Sequence, residues 1–223
     1  MVLLIPSPKP QLGARLTACR LWTYAETVRK VARSWTNALS LISASADFQF
    51  CASQAQHYEW MRLFYPAIFA RVQAAVACGR WKIVGGTWVE HDMLLPSGES
   101  LIRQFAVGCA FFEHHFKQRP TTLFLPDTFG YCSQVPQIAK LFKYKNFVSI
   151  KISWSLFNSF PHSTFVWQGS DGSALTAHFP PAGFCLGLAC YGWCLGSETL
   201  YDPTHLLTRA LQTLTTATRA YPT

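Results

Sequence analysis

The sequence predicts an α/β fold: a mainly parallel sheet whose strands are joined by amphipathic helices, arranged as a partial (β/α) barrel-like domain. Two observations lead there. Helical apolar stripes alternate with short β-branched or aromatic runs across residues 26–152, and that alternation marks βαβ units. Half of the 223 residues are apolar and 15% are aromatic, which supplies a core and excludes disorder as the overall state. The length suits one domain or slightly more.

Each element has its own signal. Residues 1–20 show no periodicity and are broken by Pro6, Pro8 and Pro10, so no element is expected there. From Glu26, apolar residues from Val28 through Trp35 to Ile42 recur at three- and four-residue steps, one stripe of a helix. Residues 48–52 form a strand. Residues 54–78 are helical again, with Pro66 opening a second helix, where its missing N–H costs nothing. Trp81–Val84 is a strand ended by Gly85-Gly86. Ser97 is a helix N-cap, and its helix runs to about Phe116 with Leu101, Phe105, Cys109 and Phe112 inward. A strand at 122–125, a helix at 133–143, a strand at 146–152 and a hairpin at 164–179 follow. Ligands of parallel sheets bind beyond the carboxyl ends of strands, which marks the loops 52–57, 85–97 and 126–132.

Composition narrows the function. Charged residues are 13%, against about 25% in an average soluble domain. The net charge is +8, yet there is no Lys/Arg-rich run and no nucleic-acid-binding signature, so nucleic acid is not an expected partner. The eight cysteines form no CxxC pair and read as small buried hydrophobes of a reducing compartment. Cys185, Cys190 and Cys194 lack a further ligand at a recognised metal spacing. The N-terminus is not a signal peptide. Residues 172–197 carry no charge, but Pro180, Pro181 and four glycines interrupt them, so no membrane span is expected.

The chemistry concentrates in two stretches. In Phe124-Leu125-Pro126-Asp127-Thr128-Phe129-Gly130-Tyr131, Asp127 directly follows an apolar strand. A carboxylate held on rigid backbone at a cleft suits a nucleophile or metal ligand; a helix N-cap aspartate fits the same spacing. The stretch Gly85-Gly86-Thr87-Trp88-Val89-Glu90-His91-Asp92 brings two carboxylates, an imidazole and an indole face to another strand end. That mixture suits a sugar site, or else a solvated loop with a structural Trp. His162, between Pro161 and Ser163, reads as a structural loop histidine.

These blocks carry a family resemblance. Glu26-Thr27-Val28-Arg29-Lys30, Cys51-Ala52-Ser53-Gln54-Ala55-Gln56, Val84 to Glu90, Leu95 to Glu99, Leu125 to Tyr131, Asn158 to His162 and His178-Phe179-Pro180-Pro181 stand in order over residues 21–182. The chain resembles class II α-mannosidases, zinc-dependent retaining glycoside hydrolases, of the cytosolic branch. The resemblance implies a partial catalytic domain at 21–182, between a non-matching segment 1–20 and a divergent tail 183–223. It implies hydrolysis of α-linked mannose from oligosaccharides through a glycosyl-enzyme intermediate, zinc as cofactor, and a cytoplasmic location. Asp127 falls on the nucleophile, which also ligates the metal. Trp88, Glu90, Phe129 and Lys151 fall at expected substrate-binding positions.

Departures from the family pattern matter as much. The family opens with a His-x-Asp metal pair followed by a Trp; counting back from Leu21-Trp22, those places hold Arg15, Thr17 and Arg20. Arginine stays protonated and is no metal ligand. The family's acid/base motif lies past the His178 block, where this chain reads Leu186-Gly187-Leu188-Ala189-Cys190. The remaining metal histidine would fall beyond Thr223. Two functions therefore stand side by side: a zinc glycosidase, or a truncated form with an incomplete site that binds sugar weakly or serves as an interaction module.

Overall fold

The computed structural model describes residues 22–149 and 161–179, together with the backbone of residues 11–13. In chain order the elements are β1 (Gln11–Gly13), α1 (Tyr24–Ala44), β2 (Gln49–Ala52), α2 (Ala55–Phe64), α3 (Pro66–Ala77), β3 (Trp81–Ile83), α4 (Gly98–Phe116), β4 (Thr122–Phe124), α5 (Val135–Leu141), β5 (Asn146–Val148), β6 (Thr164–Gln168) and β7 (Ala174–His178).

Local chemistry sets the helix ends. The Thr23 side chain accepts from the Glu26 amide and opens α1. At its other end the Arg80 guanidinium donates to Ile42 O and Phe48 O, both at 2.9 Å, and to Ser45 O. Carbonyls orphaned at the helix terminus are thus satisfied from a distant residue. Ser97 caps α4 by accepting from the Ser100 amide at 3.3 Å, as its sequence position predicts. The same helix ends at Lys117 in the left-handed region, φ 54°.

Strands fall into two groups. β1, β2 and β3 form a parallel sheet in that order, with Phe50 opposite Trp81. The second sheet has the order β4-β5-β7-β6, parallel except for the β6–β7 hairpin. Gly85 joins them: its N–H donates to Thr122 O at 2.9 Å. Its φ is 79°, and a Cβ there would lie 2.6 Å from Ser53 Cβ, so glycine alone fits.

One core cluster lies under each sheet. Trp35, Tyr58, Trp81 and Phe112 centre the first. Trp35 packs edge-on against Tyr58 at 4.6 Å and Trp81 at 5.0 Å. The Trp81 indole donates to Tyr58 Oη at 2.9 Å, and that hydroxyl donates to Ala52 O. Phe105, Leu123, Leu125 and Phe147 centre the second cluster. Helix α4 serves both, sending Phe111, Phe112 and Phe116 to the first and Leu101, Phe105 and Cys109 to the second.

Four details differ from the sequence expectation. Residues 11–13 form a strand paired in parallel with β2; strand pairing uses backbone groups, so three residues need no side-chain pattern. Helix α5 spans seven residues rather than 133–143, because Pro136 starts it and Lys143 leaves it at φ 65°. β5 ends at Val148, and residues 150–152 lie outside the described part. Cys78 is exposed at the end of α3, whereas Cys109 is buried as expected. The strands build an α/β wall, and no closed barrel forms among the described residues.

Candidate active site

Buried polar side chains gather at one end of the sheet. Ser53 and Gln54 follow β2, Thr87 and His91 follow β3, Asp127 and Thr128 follow β4, and Ser149 follows β5. Burying polar groups costs free energy unless they are hydrogen-bonded. Their concentration at the carboxyl edge locates a network there.

The three loops marked by the sequence meet at this edge. The Ala55 amide donates to Thr87 O at 3.1 Å and the Gln56 amide to Trp88 O at 2.9 Å, joining the loops after β2 and β3. The Asp127 amide donates to Glu90 Oε1, and Thr128 Oγ1 donates to His91 O at 3.2 Å, joining the loops after β3 and β4. Helix α4 supports the middle loop: the Trp88 amide donates to Gln104 O at 3.0 Å and the Val89 amide to Gln104 Oε1 at 3.1 Å. This support requires Gly108, where a Cβ would meet Gly86 O at 2.3 Å.

Asp127 lies 8% exposed beyond the end of β4. It caps no helix, since α5 begins at Val135 with Gln134 as its cap. The turn around it is closed by Tyr131, whose hydroxyl donates to Leu125 O at 2.6 Å and hydrogen-bonds Ser149 Oγ. The chain thus holds this carboxylate's backbone from β4, from β5 and from the loop after β3.

The other expected residues divide. Glu90 reaches Asp127. Trp88, two residues earlier, donates its indole N–H to Gln56 Oε1 at 2.9 Å and sets its ring against Phe111 at 5.9 Å, packing on the first core. Phe129 is 69% exposed on the rim. Lys151 lies outside the described residues, as do Arg15, Thr17, Arg20, Cys185, Cys190 and Cys194. His162 is exposed ahead of β6. Asp92 organises a turn, accepting from the Leu94 and Leu95 amides at 2.7 and 2.9 Å. Gln54, within the marked loop after β2, is buried with φ 68°, and one residue escaped the sequence reading: Gln104, a helix side chain that clamps a distant loop. Gln104 carries no local signal.

The donor set of the described residues does not fit a zinc ion. Among the described residues no group of three or more His, Cys, Asp or Glu side chains could hold a metal. Zinc takes three protein ligands even where one position stays open. Glu90 gives Asp127 a carboxylate neighbour, and Arg15 and Thr17 occupy the sequence positions of the family's first metal pair.

An α/β wall that gathers a buried carboxylate and hydroxyl groups at the carboxyl edge of parallel strands has a ligand site where such sheets place one, and the sequence match makes the domain a glycoside hydrolase domain. The chain belongs to glycosyl hydrolases family 38, whose N-terminal domain matches residues 18–218. It is 50% identical over 161 residues to alpha-mannosidase 2C1 of Mus musculus, covering 72% of this chain and 16% of that protein. It is 47% identical over 162 residues to alpha-mannosidase of Saccharomyces cerevisiae, covering 72% of this chain and 15% of that protein. The chain therefore spans only a small part of the curated relatives' length. Its fold is similar to the crystal structure of an alpha-mannosidase from Enterococcus faecalis V583, with a TM-score of 0.63, 20% identity, and 83% of this chain and 22% of that chain covered. No helix among the described residues is long and apolar enough to cross a membrane.

Proposed function

We propose that this chain carries one wall of a retaining α-mannosidase site, recognises α-linked mannose of oligosaccharides in the cytoplasm, and does not complete hydrolysis as an isolated chain. The observation that supports this reading is the placement of Asp127, buried at the carboxyl end of β4 with its amide tied to Glu90. In a retaining glycosidase one carboxylate attacks the anomeric carbon, and a second carboxyl about 5–5.5 Å away protonates the leaving oxygen and then activates water. Asp127 takes the nucleophile's role.

Glu90 is not placed to be that acid. Its Oε1 accepts from the Asp127 amide, so the carboxylate aligns the nucleophile's backbone beside the sugar. Phe129 presents an apolar face at the rim, Trp88 stiffens the loop that carries Glu90, and Lys151 falls in sequence on a basic position that the family resemblance assigns to substrate binding. Zinc, where the family binds it, fixes the sugar's hydroxyls; Arg15 and Thr17 at the sequence positions of the family's first metal pair give it no second strong ligand. Loss of general-acid assistance alone costs about 10²–10⁴ in rate.

The test uses the purified 223-residue chain. Bound zinc and turnover of an aryl α-mannoside are measured beside Asp127→Asn, and mannose binding is followed by saturation-transfer NMR. The expected result is sub-stoichiometric zinc, turnover equal in the two proteins, and a weak mannose signal. Stoichiometric zinc with turnover abolished by Asp127→Asn would overturn the incomplete site; absence of any mannose signal would overturn sugar recognition.

A further inference from the structure

We propose that β6 is a self-association edge, through which two copies of this chain pair strand against strand across a two-fold axis. β6 stands last in its sheet, with β7 as its only partner among the described strands. Two flanking bonds set the phase of that pairing: Phe179 N–H to Ser163 O at 2.7 Å, and Gly169 N–H to Ser173 O at 2.8 Å. Antiparallel ladders alternate bonded and non-bonded pairs. Phe165 and Trp167 therefore turn their backbone groups toward β7, opposite Ala177 and Leu175. Thr164, Val166 and Gln168 turn theirs outward.

The side chains tell the same story. Phe165 and Trp167 pack against the second core cluster. Thr164, Val166 and Gln168 are exposed, Val166 at 72%. Proteins guard open edges with charges, proline or bulges. The run Thr-Phe-Val-Trp-Gln has no charge and no proline, and its register against β7 is continuous, without a bulge. The carboxylate of the hairpin turn, Asp171, is occupied within that turn, accepting from the Ser173 amide at 3.0 Å and the Ser173 hydroxyl at 2.6 Å. Among the described residues no charge of this strand repels a like strand.

The occupant follows from symmetry. An antiparallel edge is its own complement, because a two-fold rotation brings each outward donor to an outward acceptor. Here the outward groups are symmetric about Val166. Val166 meets Val166 of the second copy, and Thr164 meets the second copy's Gln168, giving about six backbone hydrogen bonds. The contact is isologous and consumes the edge, so it closes at a dimer. One five-residue strand from each copy buries far less than the roughly 1,200 Å² at which stable interfaces begin. The dimer is therefore weak and reversible.

Sedimentation velocity on the full chain, over about 10–1,000 μM, tests this. The wild type is expected to rise toward twice the monomer mass and to stop there. Val166→Lys sets two ammonium groups face to face and is expected to stay monomeric with an unchanged circular dichroism spectrum. Val166→Pro, which removes one outward N–H and leaves the β7 ladder intact, gives the same result if the lysine variant fails to fold. Leu95→Lys, at an 88% exposed leucine away from β6, is expected to associate like the wild type. A monomer at every concentration overturns the proposal, since the edge is then covered by the chain itself or left to solvent. Association that survives both Val166 variants, growth beyond the dimer, or equal loss in Leu95→Lys also overturns it.

Discussion

The amide of Asp127 donates to the carboxylate of Glu90, a residue 37 positions earlier, so the turn after β4 is held from the loop after β3. Removing the acceptor leaves a half-buried N–H unsatisfied. Glu90→Ala is expected to lower stability by about 1–3 kcal/mol, the range for a bond to a charged group. Glu90→Gln keeps an acceptor and should lose less than half of that. Urea unfolding midpoints of the three proteins check both statements.

Gly108 lies inside α4, where alanine normally gains about 1 kcal/mol over glycine. Its added Cβ would sit 2.3 Å from Gly86 O and 2.5 Å from the Thr87 carbonyl carbon. Both neighbours are backbone, fixed in turn by Gly85. Gly108→Ala is therefore expected to destabilise by about 1–3 kcal/mol net. A higher melting temperature in the variant would show that the loop withdraws freely.

His57 is 2% exposed, and its Nε2 has no hydrogen-bond partner among the described residues. Burial disfavours its charged form and holds its pKa near about 3, against 6.5 for a free imidazole. The unfolded chain then binds a proton that the folded chain refuses. The stability is complete above pH 6.5 and is lost as pH falls through the window from 6.5 toward about 3. His57→Phe should flatten that slope. Unfolding midpoints at about pH 7 and about pH 5 decide it.

A metal that binds only the folded state raises its melting temperature. Because the described donors do not make a zinc site, micromolar zinc is expected to leave the melting curve of this chain unchanged. A rise of several degrees, abolished by Asp127→Asn, would show that ligands at unexpected positions complete the site.

Legibility in the sequence followed the range of the interaction. Ser97 and Phe116 bound α4 as read, because a cap and an apolar stripe are chemistry within one turn. The hairpin at Gly169–Gly172 was equally plain. The place of Asp127 was legible as a strand end, but its freedom from any helix cap was not, since that depends on where α5 starts. Gln104 and Gly108 were invisible as supports, because they act on a loop well separated in sequence. β1 was missed for the opposite reason, being too short to show alternation.

Helix α4 places residues in both clusters while Gly85 sutures the two sheets. Each cluster therefore depends on the same helix for part of its wall. Melting one strips the other of a wall, so the amides of Phe50 and Phe147 should exchange with deuterium through one shared opening, and a cut anywhere within α4 would dissolve the whole wall rather than release a half.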